Sequence, residues 1–300
     1  MQPQSGEFFW VVAGLLLLFP LSTDPLAKIP PDRLQLWPLT PRGRLILRAV
    51  SIWFSPIPWV TVALLIWTAK PVLAFAFLGA GIVFYGLGSV FSSLPERMPR
   101  WNLARYIPEI GGPLGGLIRK NLRELLTVLD PYAALVLTIS GVLYRILSSH
   151  VEPDALMMLS SLIVLAMSTY ALCLFGLDTD SGFTRYHLLP LHGWQILLAK
   201  DAAYLLVVTI LVLPLAPLSG FAAALMALAV GHKSSVEHLI PQTRWRFTGG
   251  ANITTGLLQI FLMFSAGTLV GRTSKLILLP CLAICAGSLW WYGRRLQQLE

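Results

Sequence analysis

The sequence predicts an all-α fold, a polytopic helical membrane protein of about nine transmembrane helices with amphipathic interfacial helices beside them. Its 300 residues are 56% hydrophobic and only 12% charged, whereas soluble domains are about one quarter charged. The apolar stretches are long and continuous, which favours helices over a barrel, because a spanning segment must satisfy its backbone hydrogen bonds within lipid. Basic residues gather in alternate connections between these stretches.

The sequence contains about nine apolar spans, separated by connections of unequal length. They cover residues 8–22, 51–68, 71–94, 131–148, 155–177, 202–216, 218–231, 253–271 and 275–293. The first span has no Lys or Arg before it and no clean small-residue cleavage site after it, so we interpret it as a retained helix. In residues 202–231, Pro214, Pro217 and Gly220 interrupt a run that is short for two helices. A tight hairpin is favoured there over one kinked helix.

The distribution of basic residues predicts the orientation. With the nine spans above, 18 of the 22 Lys and Arg residues fall on one side, and only Lys70, Arg145, Arg272 and Lys275 fall on the other. Cytoplasmic loops carry this excess, so the N-terminus is predicted outside and the C-terminus in the cytoplasm. A single kinked helix at 202–231 would turn the basic C-terminal segments outward, against this rule.

The spans and connections divide the chain into three regions. Residues 1–95 form a partial membrane unit of three spans, residues 96–130 a cytoplasmic linker, and residues 131–300 a unit of six spans. The net charge of +8 is explained by this topology and by attraction to anionic lipid headgroups, not by nucleic acid, because no soluble basic domain is present.

The linker contains an amphipathic segment, LIRKNLRELLTVL at residues 117–129. Ile118, Leu122, Leu125 and Leu129 share one face at helical spacing, and the basic residues Arg119, Lys120 and Arg123 lie off that stripe. This pattern predicts an interfacial helix in the headgroup plane, just before the span that begins near residue 131.

Residues 178–201 are too polar to span and too apolar to be only a tether. They include Asp178, Asp180, Arg185, Leu189, Pro190, Leu191 and Lys200. The mixture predicts a short interfacial helix or turn on the cytoplasmic side. Such an element can dock into a groove of a soluble partner and pass movement to the helices that it joins.

A weak repeat relates this segment to the N-terminal part of the chain. Five identical residues recur 152 positions apart: Arg33, Leu36, Pro38, Leu39 and Leu45 match Arg185, Leu188, Pro190, Leu191 and Leu197, and Arg48 corresponds to Lys200. Internal repeats of this kind are common in transporters. The alternative is two similar segments without a common origin.

The order of these motifs resembles a known family. The amphipathic Lys120-Asn121-Leu122-Arg123 comes first, then two spans, then the acidic and Leu-Pro-Leu segment from Asp178 to Lys200. Two further spans lead to Gly231-His232-Lys233-Ser234-Ser235 with Pro241 downstream, and two final spans follow. Residues 115–300 thereby resemble the permease subunit of exporter-type bacterial ATP-binding-cassette transporters. The three spans of residues 1–95 depart from the usual six of that family.

The resemblance implies a multi-pass protein of the bacterial inner membrane that moves a substrate out of the cytoplasm. It implies that residues 178–201, and by repeat Arg33, Pro38, Leu39 and Arg48, contact a separate cytosolic ATPase. A second permease copy is left open. The chain has no GxxxxGK[ST] motif, so ATP hydrolysis is expected on the partner. No cofactor and no catalytic or metal-binding residue is predicted.

Two other classes of protein are weighed against the exporter. A membrane-embedded lipid-modifying enzyme would use Asp178 and Asp180 to hold a divalent ion against a diphosphate, but it would need a second acidic pair, which we do not find. A scaffold would show no nucleotide-dependent change. We also interpret the span interiors as nearly free of ionisable residues, which argues against proton or sodium coupling.

Overall fold

A computed structural model of the chain describes residues 107–147, 151–178, 190–237, 241–242, 247–249 and 253–298, with a few single residues outside these ranges, residues 40, 43, 46, 59, 186 and 244. The chain divides into two compact units, Met1–Trp101 and Asn102–Glu300. The predicted spans at 8–22, 51–68 and 71–94 therefore lie, apart from single residues, outside the described part.

The described part of the second unit is built from helices. A short helix α1 (Gly115–Leu125) is followed by six longer ones: α2 (Asp130–Leu147), α3 (Pro153–Leu172), α4 (Gly193–Val212), α5 (Pro217–Glu237), α6 (Ile253–Arg272) and α7 (Leu278–Gln298), with a single 3₁₀ turn, Lys275–Ile277, before α7. The all-α fold class is confirmed for these residues.

The six long helices run up and down, so the bundle has two ends. At the first, here called the Asp130 end, Asp130 of α2 accepts a 2.6 Å hydrogen bond from the Thr248 hydroxyl, and Arg295 of α7 pairs with Glu237 of α5 at 2.7 Å. At the opposite end, here called the Arg272 end, Arg272 of α6 pairs with Asp154 of α3. Polar side-chain contacts near helix termini thus stabilise both ends of the bundle.

Helix α5 occupies the centre of the unit, where it packs against α3, α4, α6 and α7. Its buried face is rich in small residues, among them Gly220, Ala223, Ala227 and Gly231. Small side chains let the backbones of neighbouring helices approach closely. At Gly231, a β-carbon would overlap the backbone carbonyl of Ala171 in α3, so this crossing requires glycine.

Among the described residues, four helices are long and apolar enough to cross a membrane: α3, α4, α6 and α7, the last together with its 3₁₀ turn. A fifth span results if α1 and α2, which meet at a bend of 77°, are counted as one broken span. These helices indicate a membrane protein, while the predicted total of nine spans is not confirmed by the residues described.

The predicted hairpin at residues 202–231 is confirmed, and the kinked single helix is wrong. Helices α4 and α5 are separate and pack against each other, joined by residues 213–216. The predicted start at residue 202 is wrong, because α4 begins at Gly193. Lys200 and Asp201 lie inside this helix. Lipid would exclude their charges, but partners within the bundle neutralise them.

Replacing Gly231 with alanine tests the close crossing of α5 and α3. We expect Gly231→Ala to lower the free energy of unfolding by about 1–3 kcal/mol, because the added carbon must displace backbone. Gly287→Ala in α7 is the matched control, since its β-carbon meets no atom within 4 Å, and it should leave stability unchanged or raise it by up to about 1 kcal/mol. Unfolding of both variants by SDS in mixed micelles measures the difference, and equal stabilities would contradict the assignment.

Candidate functional site

A buried cluster of charges joins α1, the segment after α3, and α4 at the Asp130 end. The carboxylate of Asp178 lies at its centre, with Oδ2 2.7 Å from Nζ of Lys200 and Oδ1 2.6 Å from Nζ of Lys120. The side chains of Asp178 and Lys200 are 1% and 0% exposed. One carboxylate thereby links α1 to α4 through Lys120 and Lys200, which are 80 positions apart in the sequence.

Aromatic groups complete the surroundings of the two ammonium groups. The hydroxyl of Tyr186 donates to Oδ1 of Asp178 at 2.9 Å and accepts from Lys120 at 2.8 Å. The Lys120 ammonium lies 4.8 Å from the centre of the Tyr186 ring, and that of Lys200 lies 4.8 Å from the Phe175 ring. Aromatic faces attract cations, so these rings replace part of the water that the charges lose on burial.

Helix α1 contributes two further polar side chains. Glu124 pairs with Lys120 one turn before it, at 3.4 Å, and Oδ1 of Asn121 accepts from Lys200 at 3.4 Å. Two buried atoms, Nδ2 of Asn121 and Oε2 of Glu124, have no hydrogen-bond partner among the residues that the structure describes. An ordered water would satisfy such atoms. With two lysines and two carboxylates, the cluster is electrically balanced.

The surroundings shift the pKa of the acidic groups in the connecting segment. Burial raises the pKa of Asp178, but the ammonium of Lys200 and the hydrogen bond from Lys120 more than offset this, so the net pKa lies below the usual value. Burial and the neighbouring Asp178 charge raise the pKa of Tyr186. Tyr186 thus remains a hydroxyl donor to an ionised carboxylate.

An apolar contact holds α1 against α4 beside the charges. Ile107, Leu122 and Ala203 form a buried core, and Ile118 and Val207 are among the residues packed against it. The predicted helix over 117–129 is correct in type but too long, because α1 ends at Leu125 and residue 129 lies in the turn before α2. Its apolar stripe therefore contacts protein. Arg123, predicted to lie off the apolar stripe, is exposed.

The structure brings together only part of the predicted coupling segment. Asp178 and Lys200 pair with each other in the buried cluster. Pro190 is exposed and Leu191 is half-buried, just before α4 begins at Gly193. The other residues predicted for the two coupling segments lie outside the described part of the chain: Asp180, Arg185, Leu189, Arg33, Pro38, Leu39 and Arg48.

The first turn of α4 crosses the last turns of α7 at two glycines. A β-carbon on Gly193 would overlap the carbonyl oxygen of Gly293, and one on Gly293 would overlap the backbone of Trp194. The two backbones therefore touch without intervening side chains.

Our interpretation that the span interiors are nearly free of ionisable residues is wrong for α4 and α5. Lys200, Asp201 and His232 are each at most 2% exposed within these helices. The predicted spans 202–216 and 218–231 placed all three residues just outside the membrane. One signal in the sequence could have placed Lys200 and Asp201 inside a helix. Apolar residues continue on both sides of this charged pair, as they do within a single helix.

Comparison of the chain with protein-family models, with curated proteins and with solved structures finds no match. The described helices define a helical protein of the membrane class, with a buried ion cluster at one end of its bundle. Its function is argued from this cluster and from the segment that leads into it.

Replacing Asp178 tests the cluster. We expect Asp178→Asn to lower the free energy of unfolding by about 3–5 kcal/mol, because it leaves the buried Lys200 ammonium without its partner. Asp154→Asn at the Arg272 end is the matched control. Its carboxylate is 53% exposed, and exposed ion pairs contribute little, so its effect should be much smaller. Equal effects in an SDS titration would refute a special role for Asp178.

Lowering the pH should remove the same contribution. Because the pKa of Asp178 is lowered in the folded protein, its stabilising effect is complete above the unfolded value of about 3.9 and is lost as pH falls through the folded value. The stability difference between the wild type and Asp178→Asn should therefore be constant from pH 5 to 7 and shrink below about pH 4. A difference that persists at low pH would contradict the ionised pair.

Proposed function

We propose that this chain is the membrane-spanning subunit of an ATP-driven exporter, and that the segment leading into α4 receives movement from a separate cytosolic ATPase. The observation that carries the proposal is the ion cluster around Asp178. It clamps the start of the connecting segment to α1 and to the buried part of α4, while Pro190 lies exposed before the first turn of α4.

This arrangement can transmit a mechanical signal. The connecting segment is fixed at Asp178 by two ammonium groups and continues at Gly193 into α4. A partner that pushes on Pro190 and Leu191 acts on a segment held at both ends, so the displacement passes to α4 instead of being absorbed. The crossing at Gly193 and Gly293 extends it to α7. Mechanical coupling between two distant sites requires rigid elements that can adopt two arrangements.

The charge distribution supports a cytoplasmic location for this end. Eight of the eleven Lys and Arg residues in the described part of the chain lie at the Asp130 end. They are Arg119, Lys120, Arg123, Lys200, Lys233, Arg244, Arg294 and Arg295. Membrane proteins carry such an excess on the cytoplasmic side. The proposal therefore places the C-terminus, α1 and the segment before α4 where a cytosolic ATPase can reach them.

The contacts of Asp178 favour this function over a lipid-modifying enzyme. A carboxylate that binds a divalent ion must offer at least one oxygen to it. Here Lys200 occupies one oxygen of Asp178, and Lys120 and Tyr186 occupy the other. The geometry is that of a structural clamp, which favours the exporter over the enzyme.

Purification of the tagged chain from its native membranes in mild detergent tests the exporter directly. We expect a stoichiometric protein with a GxxxxGK[ST] motif to accompany the chain, and the complex to hydrolyse ATP. A preparation of intact chain without an associated ATPase would overturn the proposal.

A pair of substitutions then tests the docking segment. Leu191→Asp should lower the retained ATPase activity at least tenfold without reducing the yield of chain, because it places a charge on the half-buried residue before α4. Leu276→Asp is the matched control, since Leu276 is 72% exposed and lies at the Arg272 end. Full ATPase retention in Leu191→Asp, or equal loss in both variants, would contradict the assignment of this segment.

A further inference from the structure

Three helices meet at a second polar site, one residue beyond Lys200. Nε2 of His232 in α5 lies 2.9 Å from Oδ2 and 3.1 Å from Oδ1 of Asp201 in α4. Nδ1 of the same ring lies 3.0 Å from Oγ of Ser288 in α7. His232 therefore bridges α4 and α7 through opposite edges of its ring.

The site is enclosed by the bundle. The side chains of His232 and Asp201 are 0% and 3% exposed, and both α4 and α7 are apolar enough to cross a membrane. Ionisable residues inside membrane helices are expensive and usually serve a function. The Asp178 cluster does not use this pair, so its presence needs a separate explanation.

The hydrogen bonds fix how many protons the site holds. The Ser288 hydroxyl donates its single hydrogen to the backbone carbonyl of Ala229 at 2.8 Å. Nδ1 of His232 must then carry a hydrogen to donate to Oγ of Ser288. The contact between Nε2 and Asp201 requires one more proton, on either the ring or the carboxyl group.

With both protons present, the pair of Asp201 and His232 has no net charge. It is either an aspartate beside an imidazolium ion or an aspartic acid beside a neutral imidazole. Loss of one proton leaves a net negative charge enclosed among α4, α5 and α7. A buried net charge is strongly unfavourable, so the protonated pair is the form compatible with the closed bundle.

We propose that Asp201 and His232 form a proton-binding site that is occupied while α4, α5 and α7 are packed together, and that separation of these helices releases the proton to water. The ligand is a single proton, held between Nε2 of His232 and the carboxylate of Asp201. This inference concerns the junction alone and is independent of the proposed exporter function.

Among the described residues, the charged groups next to the pair on its own helices are paired or exposed. On α4, Lys200 is paired with Asp178, and on α5, Lys233 is exposed. Tyr204 and Cys285 lie within electrostatic range of Asp201. From α3, Tyr170 stacks on Tyr204 with ring centres 6.4 Å apart. Helix α6 contributes the neutral Gln259, which binds the Ala227 carbonyl.

A proton fits this site better than a metal ion. Within the described part of the chain, no three His, Cys, Asp or Glu side chains converge as metal ligands. Besides the two oxygens of Asp201, His232 contacts the Ser288 hydroxyl, whose hydrogen already points to the Ala229 carbonyl. The contacts therefore match a hydrogen-bonded chain.

The experiment measures unfolding of the purified full chain by SDS in mixed micelles between pH 7 and 9. The unfolded chain has already lost most of this proton across the range, because free histidine has a pKa of about 6.5. If the folded protein keeps it, the pair raises the unfolding constant of the wild type by up to about tenfold per pH unit. The double variant Asp201→Asn with His232→Gln replaces the pair by neutral amides and should lack the part of the rise that the pair contributes.

Three further variants make the outcome decisive. Asp201→Asn alone should also lose the part of the rise in the unfolding constant that the pair contributes. This variant provides a second test if the double variant does not fold. Ser288→Ala should be less stable but retain the wild-type slope, and His192→Gln, at an exposed histidine, should retain it as well. Titration of the three cysteines in the unfolded state, where a thiol has a pKa of about 8.5, adds the same pH dependence to all of these proteins. Parallel pH profiles of the wild type, Asp201→Asn and the double variant would overturn the proposal.

Discussion

The need to neutralise the ammonium group of Lys200 inside the bundle governs the structure of the Asp130 end. A lysine in the first half of an apolar helix cannot remain charged without a carboxylate and hydrogen-bond acceptors around it. Asp178, Asn121 and the aromatic rings of Phe175 and Tyr186 supply these. Meeting that single requirement brings together α1, the segment after α3 and the first turns of α4.

Consecutive residues of α4 bind partners on different sides of the helix. Lys200 faces α1 and Asp178, whereas Asp201 faces His232 of α5 and, through it, Ser288 of α7. Neighbouring positions on a helix are separated by about 100° around its axis. Helix α4 is therefore held from two directions at nearly the same depth, which makes it the element through which movement at one contact affects the other.

The sequence predicts helix type and order well where apolar runs are uninterrupted. The hairpin of α4 and α5 follows from Pro214, Pro217 and Gly220, because proline and glycine end helices locally. Prediction from the sequence fails at Lys200, Asp201 and His232. A charge inside a span is stable only beside partners that are distant in the sequence, and the sequence pattern does not show these partners. The sequence singles out Asp178 as a candidate residue, but its pairing with Lys120, 58 positions away, depends on tertiary contacts that periodicity does not contain.

The central position of α5 has a consequence for biogenesis. This helix carries Ala and Gly on its buried face together with His232 and Lys233, and it is not among the helices apolar enough to cross a bilayer alone. A segment of this kind gains little from lipid, so it must enter the membrane against a partner already there. Residues 213–216 are too short to separate it from α4. The two helices are therefore expected to partition into the membrane as one hairpin.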